Sequence, residues 1–323
     1  MAETKECKKC GREFPHKRFS VASVKRGKTY YRNVCITCRR PEHTLVTFDA
    51  RPTAPMPEPA PIPLTEVYAP GPVFGAFKAP RRILFVPDTH VPYHDKFAWM
   101  LMLKAARIFK PDEVVVLGDF ADFYSVSAHS KNPNRRNDLK WEVDQARECL
   151  KDLQALGATR NIFVCGNHEE RLERYLSDRA PALFNSVKVP EILGLTESGW
   201  HYYPYREQYK LGKLHITHDT GPCGQNAHRQ SSATFQGSAV IGHTHRMELS
   251  VMGSADGPPQ VAAMFGWLGD FEQVDYLHKT KVKRDWVHGF GIGYHDTGTG
   301  AVFLQPIPIF NRMCCVNGEI VRV

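Results

Sequence analysis

The chain of 323 residues has no long hydrophobic run. Its apolar stretches, such as Val114-Val115-Val116-Leu117, stop far short of the about 20 residues that a membrane-spanning helix needs, so no membrane partner is expected. The opening Met1-Ala2-Glu3-Thr4-Lys5-Glu6 is polar and no apolar core follows it, so no secretory leader is expected either. Internal repeats are missing, which excludes solenoids and propellers. Cysteines number nine, an odd count that argues against a complete disulfide framework and fits a reducing cytoplasm. Most of the chain also lacks a charge surplus. Residues 1–45 hold 12 Lys and Arg against 4 Glu, a surplus equal to the +8 of the whole chain, so the remainder is balanced.

That basic segment contains two CxxC pairs, Cys7/Cys10 and Cys35/Cys38. Paired thiols on tight knuckles can offer four thiolates to one tetrahedral Zn²⁺, and so short a segment needs such a metal to fold. Between the pairs lie Arg12, Lys17, Arg18, Lys25, Arg26, Lys28 and Arg32, interleaved with Phe14, Phe19, Tyr30 and Tyr31. The aromatics suit a miniature core. Folding does not require so many bases of one sign, and they suit phosphate contacts, although a solubilising face is the plainer use of a charge run. A spacer over 46–80 follows, where RPTAPMPEPAPIPL favours extended polyproline II. The expected organisation is a four-cysteine zinc-binding module over 1–45, this linker, and a large domain over 81–323.

The large domain alternates strands and helices. Apolar runs at 82–86, 114–117 and 162–165 read as buried strands, with amphipathic helices at 96–109, 139–156 and 169–178 between and after them, the pattern of a parallel sheet covered by helices. Beyond Trp200 the text turns to short strands at 214–217, 239–241, 261–265, 289–295 and 301–304 without long helices, which predicts a second sheet facing the first. The fold class is therefore α/β, two facing mixed sheets flanked by helices, plus the small N-terminal module.

Polar clusters follow the apolar runs. Asp88 and His90 come after the first strand, Asp119 and Asp122 after the second, and Gly166-Asn167-His168-Glu169 after the third. His218 and then His243 and His245 follow strands of the second half. Strand ends beside Gly turns are where open α/β sheets place their chemistry. The i, i+2 pairs Asp88/His90 and His243/His245 are expected to point to one side of extended segments. Mixed Asp, Asn and His donors without thiolate suit Mn²⁺, Fe, Zn²⁺ or Ni²⁺, with Mn²⁺ the expected ion. Glu169 and Glu170 suit a helix N-terminus and receive no catalytic part. The bases of Lys131-Asn132-Pro133-Asn134-Arg135-Arg136 suit either substrate phosphates or, more simply, a solvated loop.

The ordered set DxH, GDxxD, GNHE, H and GHxH resembles the calcineurin-like metallophosphoesterase superfamily over roughly residues 82–250. The resemblance implies two facing mixed sheets and a two-metal centre, one ion held by Asp88, His90, Asp119 and His245 and the other by Asp119, Asn167, His218 and His243, with Asp119 as the bridge. It also implies that His168 is the general acid and that Asp122 orients it, unless Asp122 merely caps the next helix. Where phosphoprotein phosphatases of this superfamily continue with Arg-Gly, this chain has Phe123-Tyr124, which puts protein phosphatase activity in doubt. The first forty residues resemble the zinc-ribbon or treble-clef modules of phage and bacterial DNA-processing enzymes. Together these resemblances imply a phosphoesterase of nucleic acid, DNA ahead of RNA, in the cytoplasm of a bacterium or phage-infected cell. The alternatives are an enzyme of small nucleotides and a catalytically silent nucleic-acid-binding protein.

Overall fold

In a computed structural model, residues 4–25, 28–39, 79–254, 257–273 and 285–323 are described. The chain divides into two compact units, Met1–Phe74 and Gly75–Val323. The expected linker falls almost wholly outside the described residues. In the first unit β1 (Thr4–Glu6) pairs with β2 (Glu13–Pro15), β3 (Phe19–Lys25) pairs with β4 (Lys28–Cys35), and a single helical turn, α1 (Ile36–Arg39), follows. Its core is small: Cys7, Phe19 and Cys35 are buried, with Phe14, Tyr31, Val34 and Cys38 packed against them.

The second unit opens with β5 (Arg81–Val86), whose side chains are sorted by the two-residue period of a strand. Leu84 and Val86 face a helical layer, while Ile83 and Phe85 face another sheet. Being covered on both sides is why the strand reads as an unbroken apolar run. The helical layer is α2 (Lys96–Phe109), α3 (Leu139–Gln154) and α4 (Glu170–Arg179), interleaved with β6 (Glu113–Val116) and β7 (Arg160–Val164). Asp95 caps α2 by accepting from the N–H groups of Phe97 and Ala98, and Asp138 caps α3 by accepting from Trp141 N–H. Helix α2 ends at Lys110, in a left-handed conformation just before Pro111.

The later elements are α5 (Val189–Ile192), β8 (His201–Tyr203), β9 (Tyr209–Leu211), β10 (Leu214–Ile216), α6 (Ala227–Phe235), β11 (Ser238–Ile241), β12 (Met247–Met252), β13 (Gln260–Phe265), β14 (Gly289–His295), β15 (Val302–Pro308), β16 (Met313–Val316) and β17 (Glu319–Arg322). One sheet has the order β15-β14-β5-β6-β7-β8 and the other β12-β13-β11-β10-β9. Both are mixed: the first is parallel from β5 to its β8 edge and antiparallel at β14 and β15, and the second has a parallel centre with antiparallel edges. Their inner faces share one apolar cluster that includes Phe85, Leu117, Ile216, Val240 and Phe265. The two facing mixed sheets are as expected, but their membership is not. Strands β8, β14 and β15, all beyond Trp200, join the first sheet rather than the second, and α6 covers the outer face of the second sheet through Ala227 against Ile241 and Met264. Strand texture reports burial, which is the same in either sheet. No helix among the described residues is long and apolar enough to cross a membrane.

Candidate metal centre

Parallel strands of both sheets end at one place. The loops after β5, β6, β7, β10 and β11 are tied to one another by backbone groups: Thr89 and His90 N–H donate to Asp119 O at 3.0 and 2.9 Å, and Gly242 N–H donates to His218 O at 2.9 Å. Side chains add to this lattice, since Asp88 Oδ1 accepts from His243 N–H at 3.0 Å and Asp119 Oδ1 from His168 N–H at 2.8 Å. The crowding explains the Gly of the GD and GN motifs. A Cβ on Gly166 would sit 2.2 Å from Asp119 N and Oδ1, and one on Gly118, at φ +91°, would sit 2.5 Å from His218 Nδ1.

The i, i+2 geometry expected of these loops is not what aims the side chains. His90, Asp119, His243 and His245 have φ of 55°, 48°, 66° and 57°, in the left-handed region that non-glycine residues enter only at a cost. The turns split the second pair: His245 joins Asp88 and His90, whereas His243 joins Asp119 and His218, the donor atoms of each trio lying within 4.8 Å of one another. Asn167 belongs with the second trio, its Oδ1 3.1 Å from His218 Nε2. Asp119 Oδ2 lies 3.4 Å from the same nitrogen, and Asp119 groups with this trio alone, so its bridging part rests on the resemblance.

The donors fit divalent ions. Asp88 Oδ2 is enclosed and makes no aligned hydrogen bond, although His245 Nε2 is 3.1 Å away. His90 Nε2 and His245 Nε2 face each other at 3.1 Å, an arrangement that a shared cation relieves. His218 Nδ1 donates to Leu117 O at 2.8 Å, which fixes the tautomer and turns Nε2 toward Asp119. Protonation states agree. Burial holds His245 down to about 4, the neutral ligand form, and Asp119 stays well below the carboxylate range because His168 and His218 outweigh its burial. His218 is buried too, yet Asp119 and Asp88 push it up to about 10. A proton there balances Asp119, and a divalent ion would displace it.

The sequence model of the calcineurin-like phosphoesterases matches residues 81–247, just over half of the chain. The chain belongs to this family. As a calcineurin-like phosphoesterase it is a metal-dependent hydrolase of phosphate esters. It is 26% identical over 261 residues to the gene 54 protein of Mycobacterium phage D29 and 27% identical over 263 residues to that of phage L5; each comparison covers 75% of this chain and 99% of the relative. Among solved structures, vacuolar protein sorting 29 from Cryptosporidium parvum is similar with a TM-score of 0.41 and 14% identity, over 75% of this chain and 95% of that one.

Beside the phosphoesterase's ligand clusters lies a third group, His90, Asp122 and His168. Asp122 Oδ2 is 3.3 Å from His168 Nδ1 and 3.2 Å from His90 Nδ1, so one carboxylate stands behind both rings. It caps no helix, for the short turn that follows starts from Phe123 without a side-chain cap. Two residues of this neighbourhood escaped the sequence reading. Glu169 is fully buried, and instead of facing its helix N-terminus its carboxylate turns back to accept from the N–H groups of Asp119, Gly166 and Ala121 at 3.0, 2.8 and 2.8 Å. It staples two ligand loops together, although burial and then Asp119 push it up to about 7. Arg171, one helical turn after His168, donates to His168 Nε2 at 2.8 Å and to Asp122 O at 2.9 Å. The signals available were the fourth letter of GNHE and the i, i+3 spacing.

A cavity of about 440 Å³ opens here, lined by His90, Asp122, His168, Arg171, His245 and, farther out, Tyr93, Tyr124, His129 and Arg135. The loop 131–136 is more than a solvated loop. Arg135 lies over the rings of Tyr93 and Tyr124 at 4.0 and 4.7 Å, and Arg136 over Trp141 at 4.7 Å. Asp219 is a turn residue whose Oδ1 accepts from Gly221 N–H at 2.9 Å.

In the N-terminal unit the sulfurs of Cys7, Cys10, Cys35 and Cys38 also lie within 4.8 Å of one another and could form a zinc module. The Cys35 N–H donates to Cys7 Sγ at 3.3 Å and is the main reason that this thiol is lowered to about 6, while the adjacent Cys35 and Cys10 push Cys38 up to about 12. A tetrahedral cation bound there would take all four as thiolates. Arg12, Lys17, Arg18, Lys28 and Arg32 are exposed; Arg26 and the side chain of Lys25 lie outside the described residues.

Proposed function

We propose that this phosphoesterase uses two divalent ions, Mn²⁺ first, to hydrolyse phosphate esters of nucleic acid, as a nuclease or an end-processing phosphatase. The observation that carries the two-ion reading is the pair of adjoining oxygen–nitrogen trios, Asp88/His90/His245 and Asp119/His218/His243, the first of which reaches the cavity through His90 and His245. Asn167 completes the second set and Asp119 is shared between them. Ions bound there would clamp the phosphate oxygens and lower the pKa of the attacking water. His168 gives its ring proton to the leaving oxygen, and Asp122, behind Nδ1, keeps the ring turned toward the cavity. Glu169 holds the Asp119 and Asn167 loops at their separation.

The nucleic-acid part rests on the other unit. A basic four-cysteine module with exposed Arg12, Lys17, Arg18, Lys28 and Arg32 suits a phosphate backbone, contributes no base readout, and would raise the local concentration of a polymeric substrate. DNA is the proposed polymer, ahead of RNA, in a bacterial or phage-infected cytoplasm. The test is hydrolysis by the Mn²⁺-loaded protein of bis-p-nitrophenyl phosphate and of a 5′-labelled single-stranded oligonucleotide resolved on a gel. A ladder of shortened products with diester turnover is expected of a nuclease, and released label with an intact chain of a terminal phosphatase. An untouched oligonucleotide beside a hydrolysed small ester would replace this reading with an enzyme of small phosphoesters.

A further inference from the structure

Arg171 brings a cation beside the two trios, within hydrogen-bond distance of His168 and Asp122. Its stem rises from α4, and its guanidinium reaches the cavity floor between His168 and Asp122. One terminal nitrogen is anchored, donating to Asp122 O at 2.9 Å and lying 3.4 Å from Asp122 Oδ1. The other donates to His168 Nε2 at 2.8 Å, and that nitrogen is the one on the side of the metal ligands, 3.7 Å from Asp119 Oδ2. A guanidinium held by one arm, with its second arm toward a phosphate site, is the fork that matches two oxygens of a phosphoryl group. The two positions directly after Asp122 offer no such cation, being the buried Phe123 and Tyr124, and Arg135 farther along the loop lies over the rings of Tyr93 and Tyr124.

We propose that Arg171 grips the scissile phosphate. The anchored nitrogen stays on Asp122, and the other passes its hydrogen bond from His168 Nε2 to a phosphoryl oxygen when substrate enters. This frees Nε2, which as the acceptor of Arg171 carries no proton, to take one up from solvent and face the leaving group with it, so one arrival both binds the phosphate and clears the nitrogen that acts as acid. Helix α4 thereby supplies the positive charge that the positions directly after Asp122, Phe123 and Tyr124, lack. The proposal rests on the phosphoesterase reading of the site but not on the polymer being nucleic acid.

The test compares the full-length Mn²⁺-loaded wild type with Arg171→Gln and Arg171→Lys. Binding of inorganic phosphate is followed by calorimetry, with metal content, melting temperature and the kinetics of bis-p-nitrophenyl phosphate in parallel. Arg171→Gln, which removes the charge and the fork, is expected to keep its metals while phosphate Kd and KM rise roughly tenfold or more. Arg171→Lys, which keeps the charge without the fork, should lose less. Phosphate affinity within about twofold of wild type in both variants, even with a lower kcat, would mean that Arg171 only positions His168 and Asp122, and would overturn the grip. A wild type that binds no phosphate overturns it as well. Phosphate binding that depends on Arg171, beside an untouched oligonucleotide, would sink the nucleic-acid reading and leave this one standing.

Discussion

The two units present metal-binding donors in opposite ways. In the N-terminal unit two of the three fully packed core residues, Cys7 and Cys35, are themselves donors, so the core and the cluster are one object. In the phosphoesterase unit the donors stand on the ends of strands whose apolar residues form two large clusters elsewhere. Backbone conformation follows the same division. None of the four cysteines has positive φ among the described residues, whereas His90, Asp119, His243 and His245 all do. Strained turns persist only where surrounding structure over-determines them, and only the larger unit has that structure. The difference teaches that metal would be a folding partner in one unit and a reagent in the other.

The sharpest way to break this comparison is Asp119→Asn. Activity should fall by at least about 1,000-fold with loss of both catalytic ions, while one zinc remains in the N-terminal unit. Metal analysis that still finds two catalytic ions would contradict the shared-ligand part of Asp119. His168→Ala comes next: the ions should stay and turnover drop roughly 100- to 10,000-fold on esters of poor leaving groups, with less loss on p-nitrophenyl esters. An equal loss on both would remove His168 from the acid part.

Smaller effects sharpen the other side. Cys35→Ser should release the zinc and unfold its own unit alone, leaving small-ester hydrolysis unchanged and weakening oligonucleotide binding by about tenfold with a shallower salt dependence. A lower melting temperature of the phosphoesterase unit in that variant would show that the two units are not independent. A further effect, confined to one side chain, concerns Glu142, buried with Oε2 unpaired and pushed up to about 7, mainly by burial. Its folded pKa lies above the unfolded one, so the native state holds a proton that the unfolded chain releases, and stability is lost as pH rises from about 4.5 through 7. Glu142→Gln removes this, and its stability relative to wild type should grow by about 2–3 kcal/mol between pH 5 and pH 8 in thermal melts.

Much of the site was legible because its signals are local. Each donor follows an apolar run or a Gly turn within a few residues, and the Gly is dictated by contacts such as that of Gly166 with Asp119. The distribution of His243 and His245 between two trios came from the family resemblance and not from their spacing, since alternation along an extended segment predicts one side and a left-handed turn overrides it. Glu169 was misread for a related reason. Its sequence position suits a helix N-terminus, but three backbone N–H groups from two loops offer it more than the helix dipole does. Arg135 read as solvated because nothing local marks the Tyr93 and Tyr124 rings on which it lies.

By itself the sequence determined the donor types, their order, the strand–helix alternation of the first half and the four-thiol cluster, because periodicity, Gly turns and CxxC spacing act over a few residues. Only the tertiary structure decided which sheet β8, β14 and β15 enter, which left-handed turns aim the histidines, and that Glu169 and Arg171 stand at the site. Those outcomes depend on hydrogen bonds between loops far apart in the chain, and such pairings form only once two sheets have closed on a common core.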